Sequence, residues 1–239
     1  MEHGICTLSA IAIRKENSHS SEMVSQLLYN ELYEKLDEQT EWTLIRTVFD
    51  HYEGWIQSKQ HHAIDENEFK RLKSSKLFFV NEPVSKYKGK LLSLGTPLYS
   101  SEEGALQAPT HFDAEVMIEN AKKLLGTPYL WGGRTAFGID CSGFVQVCAR
   151  MAGLDLPRDA SQQIRCGELV YFLQETLPGD LAFFGTENGP ITHVGILIGN
   201  EQILHCSGQV RIDYLDQTGI FNKELNQHTH QLMAIKRNV

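Results

Sequence analysis

Residues 126–146, GTPYLWGGRTAFGIDCSGFVQ, contain the most informative segment of this chain of 239 residues. A glycine-rich stretch ends at Asp140-Cys141-Ser142-Gly143, and a helical pattern over 144–151 follows directly. We therefore expect Cys141 at a helix N-terminus, where the helix dipole and unpaired backbone N–H groups favour thiolate over thiol. Because the thiolate is the nucleophilic form of cysteine, Cys141 is a candidate nucleophile.

Two histidines follow in segments with a strand pattern. His193 begins one predicted strand, 193–198, and His205 ends the next, 202–205. We expect them side by side across a hairpin, with His193 as the base and His205 as the group that orients its ring. Because side chains alternate along a strand, Cys206 should point away from His205 into the core. Nucleophile, base and orienting group in this order predict a cysteine hydrolase.

Composition narrows the choice of partners. The net charge of -8 argues against nucleic acid and anionic membrane surfaces, and it is compatible with a substrate that carries an amine. No apolar run approaches the roughly 20 residues that a membrane-spanning helix needs. The N-terminal segment lacks the basic region and cleavage site of a signal peptide, so we expect a cytoplasmic protein. If an export signal has already been removed from this chain, the protein is instead periplasmic or exported.

The cysteine pattern favours neither disulfides nor a metal site. The chain has five cysteines, an odd number, and no C-x-x-C pair, so a disulfide framework is not expected. No ligand pair has the usual zinc spacing, and we predict no metal and no cofactor. The cysteines other than Cys141 are expected to be small buried side chains.

The pattern of elements divides the chain into three parts. Residues 1–60 show short strands separated by polar turns, which is typical of a small barrel. Residues 61–110 are either a degenerate second barrel or an elaborated linker. In 111–239 a helix over 113–125 and the Cys141 helix precede four candidate strands, 180–184, 193–198, 202–205 and 232–237, which predicts an α+β domain.

The first part resembles a bacterial SH3-like domain. The resemblance rests on the polar arm after the first strand, the strand at Trp42 and the closing segment Tyr52-x-Gly54-Trp55-Ile56. These motifs are individually weak, but they occur in the order of that family.

Residues 111–239 resemble the NlpC/P60 family of papain-like cysteine peptidases of the cell wall. Six segments match in family order: 126–133 (GTPYLWGG), 140–145 (DCSGFV), 156–161 (LPRDAS), 178–181 (PGDL), 193–196 (HVGI) and 205–208 (HCSG). The resemblance implies an α+β, papain-like catalytic domain with helices and an antiparallel sheet, preceded by a small all-β SH3-like barrel. It also implies the catalytic residues Cys141, His193 and His205.

A subgroup of that family joins SH3-like modules to the catalytic domain and cuts γ-D-glutamyl–diamino acid bonds. This chain resembles that subgroup, which implies a murein tripeptide or tetrapeptide substrate with a free N-terminal L-Ala and release of L-Ala-γ-D-Glu. The matching positions for the L-Ala pocket are Tyr129, Asp140, Ser142 and Ser161. A carboxylate at Asp140 is suited to pair with the substrate ammonium.

Two further residues are matched in the SH3-like module. Glu31 and Tyr52 correspond to positions that block the far end of the cleft in the subgroup, so that only released peptides fit. Tyr52 could equally be a barrel core residue, and Glu31 a plain turn residue. The absence of a recognised signal peptide agrees with recycling of released peptides.

Other functions remain as alternatives at this stage. The module could bind peptidoglycan beside a catalytically silent domain, although Cys141, His193 and His205 are all present. An open cleft would make the protein a wall hydrolase that acts on intact stems. A papain-like amidase or lipid acyltransferase is the third alternative.

Overall fold

The computed structural model describes residues 2–101, 104–187 and 189–238. The chain forms two compact units. The first comprises Met1–Ala108 and Trp131–Ala136, and the second comprises Pro109–Leu130 and Phe137–Val239. The short segment Trp131–Ala136 thus belongs to the first unit, although it lies within the glycine-rich stretch that precedes Cys141.

Seven antiparallel strands form the main sheet of the first unit. They are β1 (Glu2–Ile5), β2 (Ala10–Arg14), β3 (Met23–Leu28), β4 (Leu32–Gln39), β5 (Trp42–Thr47), β6 (Glu53–Gln57) and β7 (Ala63–Ile64). Their order across the sheet is β3-β2-β6-β5-β4-β1-β7. Ile11 of β2, Leu27 of β3 and Tyr33 of β4 share one buried cluster, so the sheet curls around its core. This curled, short-stranded sheet is the all-β module predicted for the N-terminal part.

A buried ion pair joins two distant parts of the first unit. Glu31 follows Asn30, which turns the chain between β3 and β4 with a φ of 67°. Its carboxylate accepts hydrogen bonds from the Arg134 guanidinium at 2.8 and 3.0 Å and from the Leu28 backbone N–H at 2.8 Å. Both charged side chains are 2% exposed. The pair therefore holds the 131–136 segment within this unit.

Residues 61–108 belong to the first unit. They form α1 (Glu66–Lys73), β8 (Phe78–Val80), β9 (Val84–Tyr87), β10 (Lys90–Ser93), β11 (Pro97–Leu98) and β12 (Ala105–Gln107), and β13 (Arg134–Thr135) follows later in the chain. Asp65 caps α1 by accepting a hydrogen bond from the Glu68 N–H at 2.8 Å. The sheet order β11-β8-β12 and the β9–β10 hairpin are separate from the seven-stranded sheet. A second barrel or a linker over 61–110 stays a prediction.

Three helices organise the second unit: α2 (Ala114–Lys123), α3 (Cys141–Met151) and α4 (Ala160–Gln163). Asp113 caps α2, and α2 packs against α3. All residues of α3 are buried, because CSGFVQVCARM is apolar or small around most of its circumference. A helix that is buried on all sides fixes its first residue, Cys141, relative to the sheet.

The second unit contains a sheet that closes on itself. After β14 (Gly138–Ile139) come β15 (Glu168–Val170), β16 (Leu181–Gly185), β17 (Ile191–Gly199), β18 (Gln202–Ser207), β19 (Gln209–Leu215), β20 (Gly219–Asn222) and β21 (Gln227–Arg237). The order is β15-β21-β16-β17-β18-β19-β20, and β20 also pairs with β21, so six strands form a ring. Strands β19 and β20 lie outside the four that the sequence predicts.

The predicted fold class is confirmed. Helices precede an antiparallel sheet in the second unit, and an all-β module precedes both. In the part of the chain that the structure describes, no helix combines the length and the apolar character that crossing a membrane requires.

Replacing Arg134 by Met should destabilise the protein. The Glu31 carboxylate would stay buried without its partner, which costs about 3–5 kcal/mol of unfolding free energy. The double variant Glu31→Leu/Arg134→Met removes both charges and should recover most of that loss.

Chemical denaturation measures both values. Arg46→Met is the matched control, because Arg46 pairs with Glu53 at the surface and should cost no more than about 1 kcal/mol. A loss for Arg134→Met that is no larger than the control would refute the structural importance of the buried pair.

Candidate active site

Cys141 is the first residue of α3, as its sequence position predicts. Asp140 is the N-cap, and its Oδ1 accepts a hydrogen bond from the Gly143 backbone N–H at 2.7 Å. This cap fixes the first turn of the helix. The Cys141 side chain lies beside the start of β17, and its Sγ is 3.9 Å from the Thr192 carbonyl oxygen.

The Asp140 carboxylate is also the partner of a buried arginine. Arg158, which is 1% exposed, donates from Nη1 to Oδ1 at 3.0 Å and from Nη2 to Oδ2 at 2.5 Å. The same Nη1 donates to the Ser142 hydroxyl at 2.9 Å. Arg158 therefore neutralises Asp140 and fixes Ser142 in one buried cluster next to the nucleophile.

The electrostatic environment favours a neutral thiol in the free protein. Burial raises the pKa of Cys141 to about 11, and the negative charge of Asp140 acts in the same direction. Backbone hydrogen bonds at Val194 and Ser142 and the charge of Arg158 oppose this shift of the pKa without cancelling it. The thiolate expected from the helix position alone is thus disfavoured at rest, because the cysteine is 7% exposed.

The two predicted histidines lie side by side on neighbouring strands. His193 is on β17 and His205 on β18, and His205 is paired with Gly195. The distance from His193 Nε2 to His205 Nδ1 is 2.9 Å. A Cβ atom at Gly195 would lie 2.8 Å from the His205 Cβ, so a glycine at this position leaves room for the His205 side chain.

The hydrogen-bonded chain continues from His205 to Asp213 on β19. His205 Nε2 lies 3.0 Å from Asp213 Oδ2, and His205 is 1% exposed. Arg211 holds the same carboxylate with two hydrogen bonds of 2.7 and 3.0 Å. Burial acts to raise the pKa of Asp213, but the hydrogen bonds from His205 and Arg211 outweigh it and hold the pKa below its ordinary value.

This chain of contacts gives His193 a defined tautomer. A carboxylate only accepts hydrogen bonds, so His205 Nε2 carries a proton and donates it to Asp213. A neutral His205 then presents a lone pair at Nδ1, which accepts from His193 Nε2–H. The lone pair of a neutral His193 therefore lies on Nδ1. That nitrogen is the one available to take a proton from a thiol.

Other histidines reinforce the neutral state of His193. The ring of His230, on β21, stacks on His193 with a centroid distance of 4.2 Å and an interplanar angle of 29°. Burial lowers the pKa of His193 well below its ordinary value, and positive charge on His205 or His230 would lower it further. In the free protein Cys141 is thus a thiol and His193 a neutral imidazole, the two states that activation of a cysteine by a general base would require.

The predicted pocket residues of the second unit have different surroundings. Tyr129 is half-buried, and its pKa is raised by burial and by the nearby charges of Cys141 and Asp140. Ser142 is buried next to Asp140. Ser161 is exposed on α4, and among the described residues no hydrogen bond joins it to Cys141 or Asp140.

The two predicted residues of the first unit have roles inside that unit. Glu31 is buried and bonded to Arg134. Tyr52 is half-buried before β6, and its backbone N–H donates to the Thr47 hydroxyl at 2.8 Å. Their placement at the far end of a substrate cleft stays a prediction.

Sequence reasoning missed Asp213, Arg158 as the partner of Asp140, and His230. Asp213 lies on β19, which the strand prediction omitted. Its signal was available, because Arg211-Ile-Asp-Tyr214 follows His205 closely enough to form the next hairpin.

No group of three or more histidine, cysteine or acidic side chains within residues 2–101, 104–187 and 189–238 is arranged to hold a metal ion.

Comparison with known families agrees with this architecture. Residues 126–230 match the NlpC/P60 family, and residues 13–60 match the bacterial dipeptidyl-peptidase Sh3 domain. The chain therefore contains an NlpC/P60 domain, and a bacterial dipeptidyl-peptidase SH3 domain precedes it in the sequence.

Curated relatives are similar to part of the chain. The chain is 41% identical over 117 residues to the gamma-D-glutamyl-L-lysine dipeptidyl-peptidase of Bacillus subtilis, a match that covers 47% of this chain and 39% of the relative. It is 49% identical over 84 residues to the probable endopeptidase NlpC of Escherichia coli, covering 34% of this chain and 54% of the relative. These matches span between about two fifths and about half of the relatives' own lengths.

A solved structure shares the fold of the whole chain. The crystal structure of an NlpC/P60 family protein from Bacillus cereus superposes with a TM-score of 0.77. The match covers 98% of this chain and 99% of that chain at 18% identity, which establishes a common fold.

Alkylation of Cys141 should report a thiol with a raised pKa. Its pKa of about 11 means that the thiolate fraction grows about tenfold for each pH unit between pH 6 and pH 9. The rate of iodoacetamide modification, followed by peptide mapping, should rise in proportion. Cys166, a half-buried cysteine with no comparable role, is the internal control. A plateau in the Cys141 rate across neutral pH would show a resting thiolate and contradict this electrostatic account.

Asp213→Asn should impair turnover more than substrate binding. An amide can donate to His205 and reverse the tautomers of both histidines, so we expect kcat to fall roughly 10- to 100-fold with KM little changed. Asp213→Glu should restore part of kcat. Asp155→Asn is the matched control, because Asp155 is an exposed carboxylate 3.8 Å from Arg150. A kcat for Asp213→Asn within twofold of the parent value would contradict a positioning role.

Proposed function

We propose that this protein is a cysteine peptidase that hydrolyses the γ-D-glutamyl–diamino acid bond of murein peptides with a free N-terminal L-Ala. The observation that carries the proposal is the position of Cys141 at the start of a capped, buried helix beside β17, the strand from which His193 is connected through His205 to the Asp213 carboxylate. A nucleophile, a base and an orienting group with this connectivity are the requirements for acyl transfer to a thiol.

The proposed reaction has two steps. The Cys141 sulfur attacks the γ-carbonyl carbon of D-Glu while His193 Nδ1 accepts the thiol proton. The carbon–nitrogen bond then breaks, and His193 delivers that proton to the leaving amine, which leaves a thioester on Cys141. A water molecule, deprotonated by His193, attacks the thioester and releases L-Ala-γ-D-Glu with the regenerated thiol.

Two observations support this substrate class. The Bacillus subtilis relative that is 41% identical over 117 residues is named a gamma-D-glutamyl-L-lysine dipeptidyl-peptidase. In addition, Tyr129, Asp140 and Ser142 lie together around Cys141. Their hydroxyl and carboxylate oxygens can accept hydrogen bonds from an ammonium.

Arg158 limits what Asp140 can contribute to amine recognition. The guanidinium occupies both carboxylate oxygens, so the pair is close to neutral. The substrate ammonium would use the oxygens of Ser142 and Tyr129, beside a carboxylate whose charge Arg158 largely compensates. We therefore expect a preference for the free amine that is worth one charged hydrogen bond rather than a full ion pair.

The cellular role that fits this chemistry is recycling. A requirement for a free N-terminal L-Ala would restrict the enzyme to peptides already released from the glycan. We propose that it acts on such tripeptides or tetrapeptides, with either L-Lys or meso-diaminopimelate after D-Glu. Glu31 and Tyr52 are not needed for this proposal, which rests on recognition of the amine in the second unit.

Cleavage of defined peptides tests the proposal. Purified protein is incubated with L-Ala-γ-D-Glu-meso-diaminopimelate, with the L-Lys analogue and with the N-acetylated form of each, and products are identified by mass spectrometry. We expect cleavage after D-Glu, and a kcat/KM for acetylated peptides that is lower by roughly 10- to 150-fold, the effect of one charged hydrogen bond. Cys141→Ala should be inactive, while Cys166→Ala, at a cysteine outside the site, should keep full activity.

Each other outcome has a defined meaning. Cleavage of free and acetylated peptides at equal rates would contradict the recycling role and indicate a hydrolase with an open cleft that acts on intact stems. Saturable binding of muropeptides without turnover would indicate a binding module with a silent catalytic domain. Turnover by Cys141→Ala would refute the assignment of the nucleophile.

A further inference from the structure

His230 is the histidine that stacks on the proposed base. Its ring lies 4.2 Å from that of His193 and 5.8 Å from that of His205, measured between centroids. It reaches this position from β21, where it pairs with Ile220 of β20. The His230 side chain is half-buried.

The hydrogen bonds of His230 leave one ring nitrogen available. Its Nδ1 lies 2.9 Å from the Thr229 hydroxyl, which lies 3.4 Å from the Ile220 carbonyl oxygen. If the hydroxyl donates to that carbonyl, Nδ1–H donates to the hydroxyl oxygen, and Nε2 carries the lone pair. Among the described residues, Nε2 has no hydrogen-bond partner. Burial lowers the pKa of His230 to about 4, so Nε2 is an acceptor at neutral pH.

The position of His230 places it on the side of the substrate that leaves in the first step. The base that protonates the leaving nitrogen must lie within hydrogen-bond distance of it, so the leaving residue departs on the His193 side of the thiol. A ring that stacks on His193 is therefore next to the leaving residue rather than next to the acyl half. Asp140, Ser142 and Tyr129, which surround the thiol itself, are the candidates for the acyl half.

An open pocket continues from His230. It has a volume of about 450 Å³ and is lined by residues 217–218 and 228–232. The lining offers two glutamine amides and two threonine hydroxyls, all able to donate and accept. Its other histidine, His228, is hydrogen-bonded to Asp216 at 2.8 Å. Such a neutral polar surface suits a group that carries both an ammonium and a carboxylate.

We propose that His230 and this pocket bind the leaving diamino acid, with His230 Nε2 accepting a hydrogen bond from an N–H of that residue other than the scissile amide N–H. The inference rests on the proposed function and assigns a place to the second half of the same substrate. It makes His230 a residue that contacts substrate, in addition to the stacking contact with His193.

Two substrates with the same acyl half and different leaving groups test the proposal. One is L-Ala-γ-D-Glu-L-Lys, and the other is the γ-methylamide of L-Ala-D-Glu, whose methylamine is too short to enter the pocket. His230→Ala should lower kcat/KM for the tripeptide by about tenfold, the effect of one lost hydrogen bond, and change the methylamide value less than threefold.

Further variants separate the hydrogen bond from the stacking contact. His230→Phe keeps a flat ring on His193 but has no acceptor, so it should show the same selective loss as His230→Ala. His230→Gln offers an amide oxygen and should recover part of the tripeptide rate. His111→Ala is the matched control, because His111 is an exposed histidine of the same unit and should leave both rates unchanged.

The outcomes distinguish this inference from the proposed function. Equal losses on both substrates would overturn the inference, because His230 would then act only by holding His193. Unchanged rates on both substrates would overturn it as well. If the parent protein cleaves neither substrate, the proposed function itself fails, and this inference fails with it.

Discussion

The arrangement of the site depends on one buried hydrogen-bonded chain, from Arg211 through Asp213 and His205 to His193. Its direction is fixed at the Asp213 end, because an ionised carboxylate can only accept hydrogen bonds. Each group then determines the tautomer of the next, until the lone pair reaches Nδ1 of His193. The closed six-stranded sheet supplies this order, since β17, β18 and β19 are consecutive neighbours: β17 contributes His193, β18 contributes His205, and β19 contributes both Asp213 and Arg211. A buried polar chain of this kind is favourable only when every member has its hydrogen-bond partner. A substitution at Asp213 should therefore alter the hydrogen bonding of His193.

Two carboxylates that the sequence analysis assigned to substrate binding form ion pairs with buried arginines. Asp140 caps α3 and pairs with Arg158, while Glu31 pairs with Arg134 inside the first unit. Both pairs are buried, so their geometry is set by the protein. Asp140 still lies next to Cys141. Because Arg158 compensates its charge, we expect the substrate ammonium to be recognised by a hydrogen bond rather than by a full ion pair. Burial and this carboxylate together raise the pKa of the thiol, so the proposed mechanism requires His193 to act as its base.

Much of the fold and the main site residues could be predicted from sequence, for physical reasons that differ between elements. Cys141 was found because an N-cap aspartate and an apolar helix follow a glycine-rich stretch. His193 and His205 could be placed side by side because one begins a predicted strand and the other ends the next, across a hairpin. Asp213 was missed because β19 inverts the usual pattern, with Ile212 and Tyr214 exposed and a charged residue buried. His230 depends on a contact between β21 and β17, strands that are not adjacent in the sheet, and periodicity carries no information about such contacts.

The measurement that tests the account most directly is nitrogen-15 NMR of the histidine rings at pH 7, with His193 and His205 assigned by substitution. The account predicts a neutral His193 with its proton on Nε2 and its lone pair on Nδ1, and a His205 that is protonated at Nε2. An imidazolium signal for His193, or a proton on its Nδ1, would contradict it, since neither state has a lone pair on Nδ1 to accept the Cys141 proton.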